Sequence, residues 1–276
     1  MDKAKWWSDM SRPEIEDQVK KCDIVLLPIG ATEQHGPHLP CGSDYFNAMG
    51  IAEMVSKRTG VIIAPGIPYG SHPYYHYGWT GTIPVRNSTQ IMMVRDIVKG
   101  FVNSGFNKVI IINAHGQWWV LTTALQDICL EINVFMAVAT WQDIAQPTIK
   151  TVLETPTKHA DESETSLALF LYPEKTDMTK AVKESVKGLV DKKLYRFGTH
   201  GDTSAGFSGI DITTRAQEPI ESKYGVVGDA TLATKEKGEK VVKAAADVIC
   251  ALIEDLKARY KPGEIPDIKP KLKVQM

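Results

Sequence analysis

The sequence predicts an α/β fold of three layers, with a mostly parallel central sheet between two layers of helices. Three observations predict it. Short β-branched runs, such as Ile24-Val25-Leu26-Leu27-Pro28-Ile29 and Val109-Ile110-Ile111-Ile112, are apolar throughout rather than alternating, as strands covered on both faces must be. Helical stretches with recognisable start and stop residues lie between them. The two kinds of element alternate along the chain, the order that a parallel sheet with right-handed crossover helices requires.

Taken in order, strands are predicted over 23–29, 61–64, 108–113 and 134–140. A helix over 44–58 follows Ser43, a good capping residue. A second, over 88–104, begins after Asn87 and stops at Gly105; a third, over 117–131, follows Gly116. A further helix over 161–171 carries the apolar residues Leu167, Leu169, Phe170 and Leu171. The last helix, roughly 231–259, is amphipathic, with Val241, Val242, Ala245, Val248, Ile249 and Leu252 sharing one stripe. Residues 175–230 are rich in Gly, Thr and Asp and read as a long excursion over the sheet edge or the site. One domain is expected over 1–260. Residues 261–276, with three prolines, read as a tail without its own core, suited to packing on a neighbouring subunit.

Composition narrows the function. The 276 residues are 43% hydrophobic and 24% charged, ordinary for a soluble globular protein. A formal net charge of -1 offers no basic excess for nucleic acid and no acidic tail. The longest apolar runs are too short to span a bilayer, and MDKAKWWSDMSRPEIED lacks the apolar stretch of a signal peptide. Four cysteines, Cys22, Cys41, Cys129 and Cys250, are scattered with no CxxC pair, which fits a reduced, cytoplasmic compartment. The expected partner is a small-molecule substrate, not nucleic acid or a membrane.

The chemistry concentrates where strands end. In open α/β sheets, ligands bind beyond the carboxyl ends of the strands. EQHGPH, residues 33–38, directly follows the first predicted strand; Asp44 opens the next helix; the third strand runs into Asn113-Ala114-His115-Gly116. Glu33, His35, Asp44 and His115 can therefore converge on one rim. Two carboxylates and two imidazoles suit Zn²⁺ or Mn²⁺, with Fe²⁺ also within reach, and a bridging carboxylate would hold two ions close together. Taken singly, each has a duller role: a histidine after a strand as a hydrogen-bonded loop residue, Asp44 as a complement to the helix dipole. A second cluster, His159-Ala160-Asp161-Glu162-Ser163-Glu164, opens the helix over 161–171. If that helix starts at the same rim, Glu164 completes a metal shell and takes part in catalysis, and His159 transfers protons.

These segments resemble the creatininase (creatinine amidohydrolase) family. The resemblance rests on LLPIGATEQHGPHLPCGSD at 26–44, GTIPV at 81–85, INAHG at 112–116, HADESETS at 159–166 and GVVGDATLATKEKGE at 225–239, in order, from about residue 20 to residue 255. It implies a binuclear metal centre on an α/β/α fold, often in a homo-hexamer. It would give Glu33 and His115 to one divalent ion, His35 to the other, and Asp44 to both. It would make His159 the proton shuttle, and Trp141 an aromatic over the substrate. Two departures follow. Where creatininase has a metal-binding glutamate after its NGH segment, this chain has Gln117, so Glu164 is the candidate to complete the second site. An upstream tryptophan of the creatinine pocket is replaced by Glu154-Thr155-Pro156-Thr157, which argues against creatinine itself.

The segment SHPYYHYGWTGT, residues 71–82, supplies candidate substrate contacts in His72, Tyr75, His76, Trp79 and Thr82, with Gln117 and Trp141 completing the set. Rings with polar tips suit a flat, hydroxyl-rich ligand, though the same residues suit a subunit interface. FGTHGDTSAGFSG at 197–209 reads as a flexible loop whose His200 or Asp202 could reach the site. Within the family, the branch that hydrolyses a ring C–C bond of a diketo-inositol (3-dehydro-scyllo-inosose) is the preferred expectation. Cyclic amides and formamides, creatinine-like or pyrimidine-derived, are the alternative. A non-catalytic binding protein that keeps the fold is the third reading, with Gln117 the only feature in its favour.

Overall fold

The computed structural model describes residues 3–72, 78–185 and 222–266. A short strand β1 (Lys5–Trp6) leads through helix α1 (Arg12–Lys21) into β2 (Ile24–Ile29). Helix α2 (Ser43–Thr59) leads to β3 (Ile62–Ile63), α3 (Asn87–Asn103) to β4 (Lys108–Asn113), and α4 (Trp118–Glu131) to β5 (Phe135–Thr140). Helices α5 (Trp141–Ile144), α6 (Gln146–Val152) and α7 (Glu162–Leu171) follow. A small antiparallel pair, β6 (Lys183–Glu184) with β7 (Gly228–Asp229), precedes the long helix α8 (Lys235–Arg259).

The five-stranded sheet has the order β1-β3-β2-β4-β5, and every pair is parallel. Alternate residues of the uninterrupted apolar strands face opposite ways. Ile24, Leu26, Ile110 and Ile112 join a core with residues of α2, α7 and α8; Val25, Leu27, Ile29, Val109 and Ile111 join a second core with residues of α1, α3 and α4. This is the three-layer α/β/α arrangement that the sequence predicts. The edge strand β1 was not legible, because two residues carry no periodicity.

Chain direction reverses at β2. From β2 the chain moves outward to β3, then returns past β2 to β4, so the switch point lies between the carboxyl ends of β2 and β4. Register makes those ends level: Ile29 pairs with Asn113, and Asn113 pairs with Thr140. Whatever follows each strand therefore emerges on one rim. Gly30, the first residue past β2, lets α2 settle against that rim. A Cβ there would lie 2.3 Å from Tyr45 N and 2.5 Å from the carbonyl carbon of Asp44.

Several boundaries differ from expectation. Gly42 rather than Ser43 precedes α2, and the Ser43 hydroxyl donates to Pro40 O at 2.8 Å. Asn87 is the first residue of α3 rather than its cap, and its side chain accepts from the Ser71 hydroxyl. Helix α8 starts at Lys235, capped by Thr234, whose side chain accepts from Lys237 N at 3.2 Å. On α8, Val248 is exposed and Leu252 only partly buried, while Ala246, Cys250, Ile253 and Leu256 are buried with Val241, Val242, Ala245 and Ile249. The buried stripe is wider than the one read from sequence because α8 lies across both α2 and α7.

The start of the tail returns to the sheet. Lys108 Nζ lies 2.6 Å from Asp23 Oδ2, a buried ion pair, and Gly263 N donates to the same oxygen at 2.8 Å. Residues 267–276 lie outside the described residues. Cys22, Cys41, Cys129 and Cys250 are free thiols. Among the described residues, no helix is long and apolar enough to cross a membrane.

Candidate metal centre

Glu33, His35, Asp44, His115, His159 and Glu164 all arrive at the rim, and all are buried. The loop after β2 brings the first two. It is held by Glu33 N donating to Cys41 O at 2.8 Å, Gln34 N to Thr82 Oγ1 at 3.1 Å and Ile83 N to Thr32 O at 2.9 Å. Asp44 stands in the first turn of α2, and His115 two residues past β4. Asp161 caps α7 by accepting from Ser163 N at 2.9 Å and Glu164 N at 3.1 Å. Just before it, Ala160 takes φ 49°, in the left-handed region that costs a non-glycine residue about 1–2 kcal/mol. That turn brings Ala160 N to Glu164 Oε2 at 2.7 Å and leaves His159 and Glu164 on the same cluster.

Asp44 is shared between two groups of donors. Its Oδ1 lies 3.2 Å from His35 Nε2, and its Oδ2 lies 2.9 Å from His115 Nδ1. His35 Nε2 also lies 3.4 Å from Glu164 Oε2, and His115 Nδ1 lies 3.1 Å from Glu33 Oε2. Ligand atoms of His35, Asp44 and Glu164 fall within 4.8 Å of one another, as do those of Glu33, His72 and His115, and those of Glu33, His35 and His159.

The carbonyls beside these rings fix their tautomers. A backbone carbonyl only accepts, so a ring nitrogen beside one carries the proton. His35 Nδ1 lies 3.0 Å from Glu33 O, His115 Nε2 lies 3.0 Å from Ser71 O, and His159 Nε2 lies 2.8 Å from Gln34 O. In the neutral rings each opposite nitrogen therefore presents a lone pair, and for His35 and His115 it faces carboxylate oxygens. Lone pairs aimed at carboxylates repel unless a cation sits between them. An imidazole pinned by a carbonyl on one side and open on the other is how metal-ligating histidines are held. The donors fit divalent Zn, Mn or Fe.

Without a metal, protons take the cation's place. Burial alone would lower the pKa of His115, but the carboxylates of Glu33 and Asp44 outweigh it and raise it to about 10. His35 is likewise raised well above its ordinary value: burial opposes, and Asp44 and Glu164 prevail. Asp44 is lowered, since His35 and His115 overcome the effect of burial. Glu164 is raised by burial, with Asp44 adding to it against His35. Asp161 is pushed up to about 7 by burial and by Glu164. A group whose pKa is raised on folding adds stability below its unfolded value and loses it as pH climbs through the folded one. Chelator-treated protein is therefore expected to melt at lower temperature near pH 10 than near pH 7, by the share that His115 carries. Metal-loaded protein, with that nitrogen already occupied, should show no such fall, and its metal should instead leave as pH drops and protons compete for the imidazoles. Melting curves with and without chelator check both.

The remaining expected site residues are placed as follows. Gln117 is wholly buried: its Oε1 accepts from Ser71 N at 3.0 Å, and its Nε2 donates to Gly30 O at 3.1 Å and Asn113 Oδ1 at 3.3 Å. Both amide hydrogens are engaged within the protein, so Gln117 ties the strand ends together. Trp141 has no exposed surface and packs in the core beside α8. Trp79 is half-buried in a turn, where its carbonyl accepts from Thr82 N at 3.2 Å, and the Thr82 hydroxyl braces Gln34. His72 is buried, with Nδ1 3.7 Å from Glu33 Oε1. Tyr75 and His76 lie outside the described residues, as does the loop at 197–209 with His200 and Asp202.

Two residues inside EQHGPH escaped the sequence reading. Gln34 donates to Gly225 O at 2.9 Å and accepts from Gly36 N at 3.0 Å, joining the site loop to the segment before β7. His38 Nε2 lies 2.8 Å from Thr165 Oγ1, beside Glu164, and its pKa is lowered to about 4 by burial and by His35. The density of polar residues in that hexapeptide was the available signal.

Comparison with known proteins agrees with this geometry. The family profile described as creatininase, creatinine amidohydrolase, matches residues 8–253. The chain is 34% identical to a 3-dehydro-scyllo-inosose hydrolase of Thermotoga maritima, over 95% of this chain and 86% of that one. It is 25% identical to a creatinine amidohydrolase of Pseudomonas putida, over 92% of this chain and 98% of that one. A solved structure described as "Creatininase Mn" superposes with a TM-score of 0.75 at 22% identity, covering 92% of this chain and 98% of its own. A match of this extent means that the chain belongs to the creatininase family of hydrolases.

Proposed function

We propose that this protein is a binuclear metal-dependent hydrolase that opens a small polar ring. One observation carries the reading: the two oxygens of Asp44 are divided between His35 and His115, whose other ring nitrogens are pinned by carbonyls. Glu33, Asp44 and His115 would hold one divalent ion, and His35, Asp44 and Glu164 the other. Zn²⁺ suits these nitrogen and oxygen donors, and the name of the manganese-bearing creatininase supports Mn²⁺ equally. Ions bound there supply hydroxide from water near neutral pH and polarise a carbonyl.

The chain's own residues do the rest. His159 is held at Nε2 by Gln34 O, and its Nδ1 lies 4.0 Å from both Glu33 and Glu164. It can take a proton at Nδ1 and hand it to the group that leaves. In a ring β-diketone that group is a carbon departing as an enolate; in a cyclic amide it is nitrogen. Burial of the whole cluster excludes bulk water, which strengthens every charge interaction in it.

The preferred substrate is a diketo-inositol, opened at a ring C–C bond. Its support is the 34% identity to the inosose hydrolase and the replaced creatinine pocket at 154–157. A cyclic amide is the second reading, favoured by the 25% identity to creatinine amidohydrolase. Elemental analysis of protein purified without chelators tests the centre, with about two ions per chain expected. Turnover of a cyclic diketone against a cyclic amide tests the substrate. Glu164→Gln is expected to bring the metal content to about one per chain, because only the His35 side loses a carboxylate. His159→Ala is expected to keep both ions while turnover falls by about 10²–10⁴-fold; loss of metal in that variant would remove it as a proton carrier.

A further inference from the structure

Gln117 raises a question that the two-ion centre leaves open. An amide is a poor ligand, yet this one is fully buried and anchored at both ends. Its Oε1 accepts from Ser71 N at 3.0 Å, and its Nε2 reaches Gly30 O and Asn113 Oδ1 at 3.1 and 3.3 Å. It therefore staples the segment around residue 71 onto the ends of β2 and β4. Gly70 permits that approach: a Cβ there would lie 2.8 Å from Gln117 Oε1 and 2.9 Å from Gly30 O. Val85 N donates to Gly70 O at 2.9 Å, and the Ser71 hydroxyl bonds to Asn87. Ser71 O receives the Nε2 proton of His115. The residue delivered by all these contacts is His72.

We propose that His72 is a ligand of the ion held by Glu33 and His115, and that Gln117 is the positioning residue that brings it there. This rests on the binuclear reading above. Two donors on one ion stand at most about 4.2 Å apart when each bond is about 2.1 Å. His72 Nδ1 lies 3.7 Å from Glu33 Oε1, and His115 Nδ1 lies 3.1 Å from Glu33 Oε2. The rings of His72 and His115 are 4.5 Å apart and tilted by 58°, and ligand atoms of Glu33, His72 and His115 fall within 4.8 Å of one another. The His72 side chain is fully buried. The ion on this side then has two imidazoles and two carboxylates, whereas the other has one imidazole and two carboxylates. The two sites should differ in affinity and in spectrum.

The test is titration of the chelator-treated full chain with Co²⁺, followed by calorimetry, visible absorption and proton NMR of the paramagnetic form. The wild-type chain is expected to show one hyperfine-shifted ring N–H signal for each of His35, His72 and His115. His72→Ala and the bulkier His72→Gln are each expected to lose one of these signals. Each should also weaken one of the two binding steps by at least about 10–100-fold, leaving the other unchanged. The His72→Gln form keeps the cavity filled, so it reports on ligation even where His72→Ala fails to fold. Wild-type affinities and an unchanged spectrum in the folded variants would overturn the assignment of His72 alone. Failure of the wild-type chain to bind Co²⁺ would overturn the binuclear reading with it.

Discussion

Asp44→Ala is expected to strip the centre of metal and leave less than about one part in 10³ of the wild-type turnover. The two oxygens of Asp44 lie on different histidines, 3.2 Å from His35 and 2.9 Å from His115. In the proposed two-ion centre its loss would remove a donor from both ions at once. A single partner that only orients a ligand typically costs 10–100-fold in metal affinity, so a shared direct ligand should cost more than about 100-fold. The same variant has a second readout without metal. Asp44 is one of the two carboxylates that raise His115 against the effect of burial. In the chelated variant, NMR titration should find the His115 pKa lowered toward its ordinary range. Retained metal together with an unmoved His115 would contradict the bridging role. Asp44→Asn separates charge from shape, since it keeps one acceptor oxygen and loses the anion.

Gly30→Ala is expected to destabilise the fold by about 3 kcal/mol or more. The added carbon meets backbone: Tyr45 N at 2.3 Å, and the Asp44 carbonyl carbon and Tyr45 Cα at 2.5 Å. Backbone cannot rotate away as a side-chain tip can, so β2 and α2 must separate. For a chain of this size that loss lowers the melting temperature by about 10 °C. Separation also carries Asp44 away from His35 and His115, so metal affinity should fall with stability. Gly100→Ala is the control. It lies in α3 with nothing within 4 Å of the new carbon, and the helix should gain about 0.5–1 kcal/mol. Thermal melts of the two variants, with opposite signs expected, check the packing argument directly.

Much of the fold was legible because uninterrupted apolar runs have few other uses. Ile24–Ile29 and Lys108–Asn113 lie within or on the predicted spans, and the helices between them follow their breaker residues closely. Edge strand β1 was not legible, since two residues hold no period. Nor was the exposure of Val248, because the width of a buried stripe depends on how many helices lie against it, and α8 meets both α2 and α7.

For the site, sequence alone determined which residue types crowd onto the rim. A polar knot that directly follows a buried strand has to emerge at a strand end, so EQHGPH and Asn113-Ala114-His115 marked the location. Only the tertiary structure decided which of these residues meet and at what distances. Local sequence does not say that Asp44 divides its oxygens between two histidines, that Gln117 is consumed in holding Ser71, or that Trp141 is core. It does not show His72 beside Glu33, separated by 39 positions in the chain and 3.7 Å in space. The physical reason is that a strand's register sets where its end lies, whereas a side chain's partners depend on loops and helices from distant parts of the chain. Those meet only once the sheet has brought the ends of β2 and β4 level.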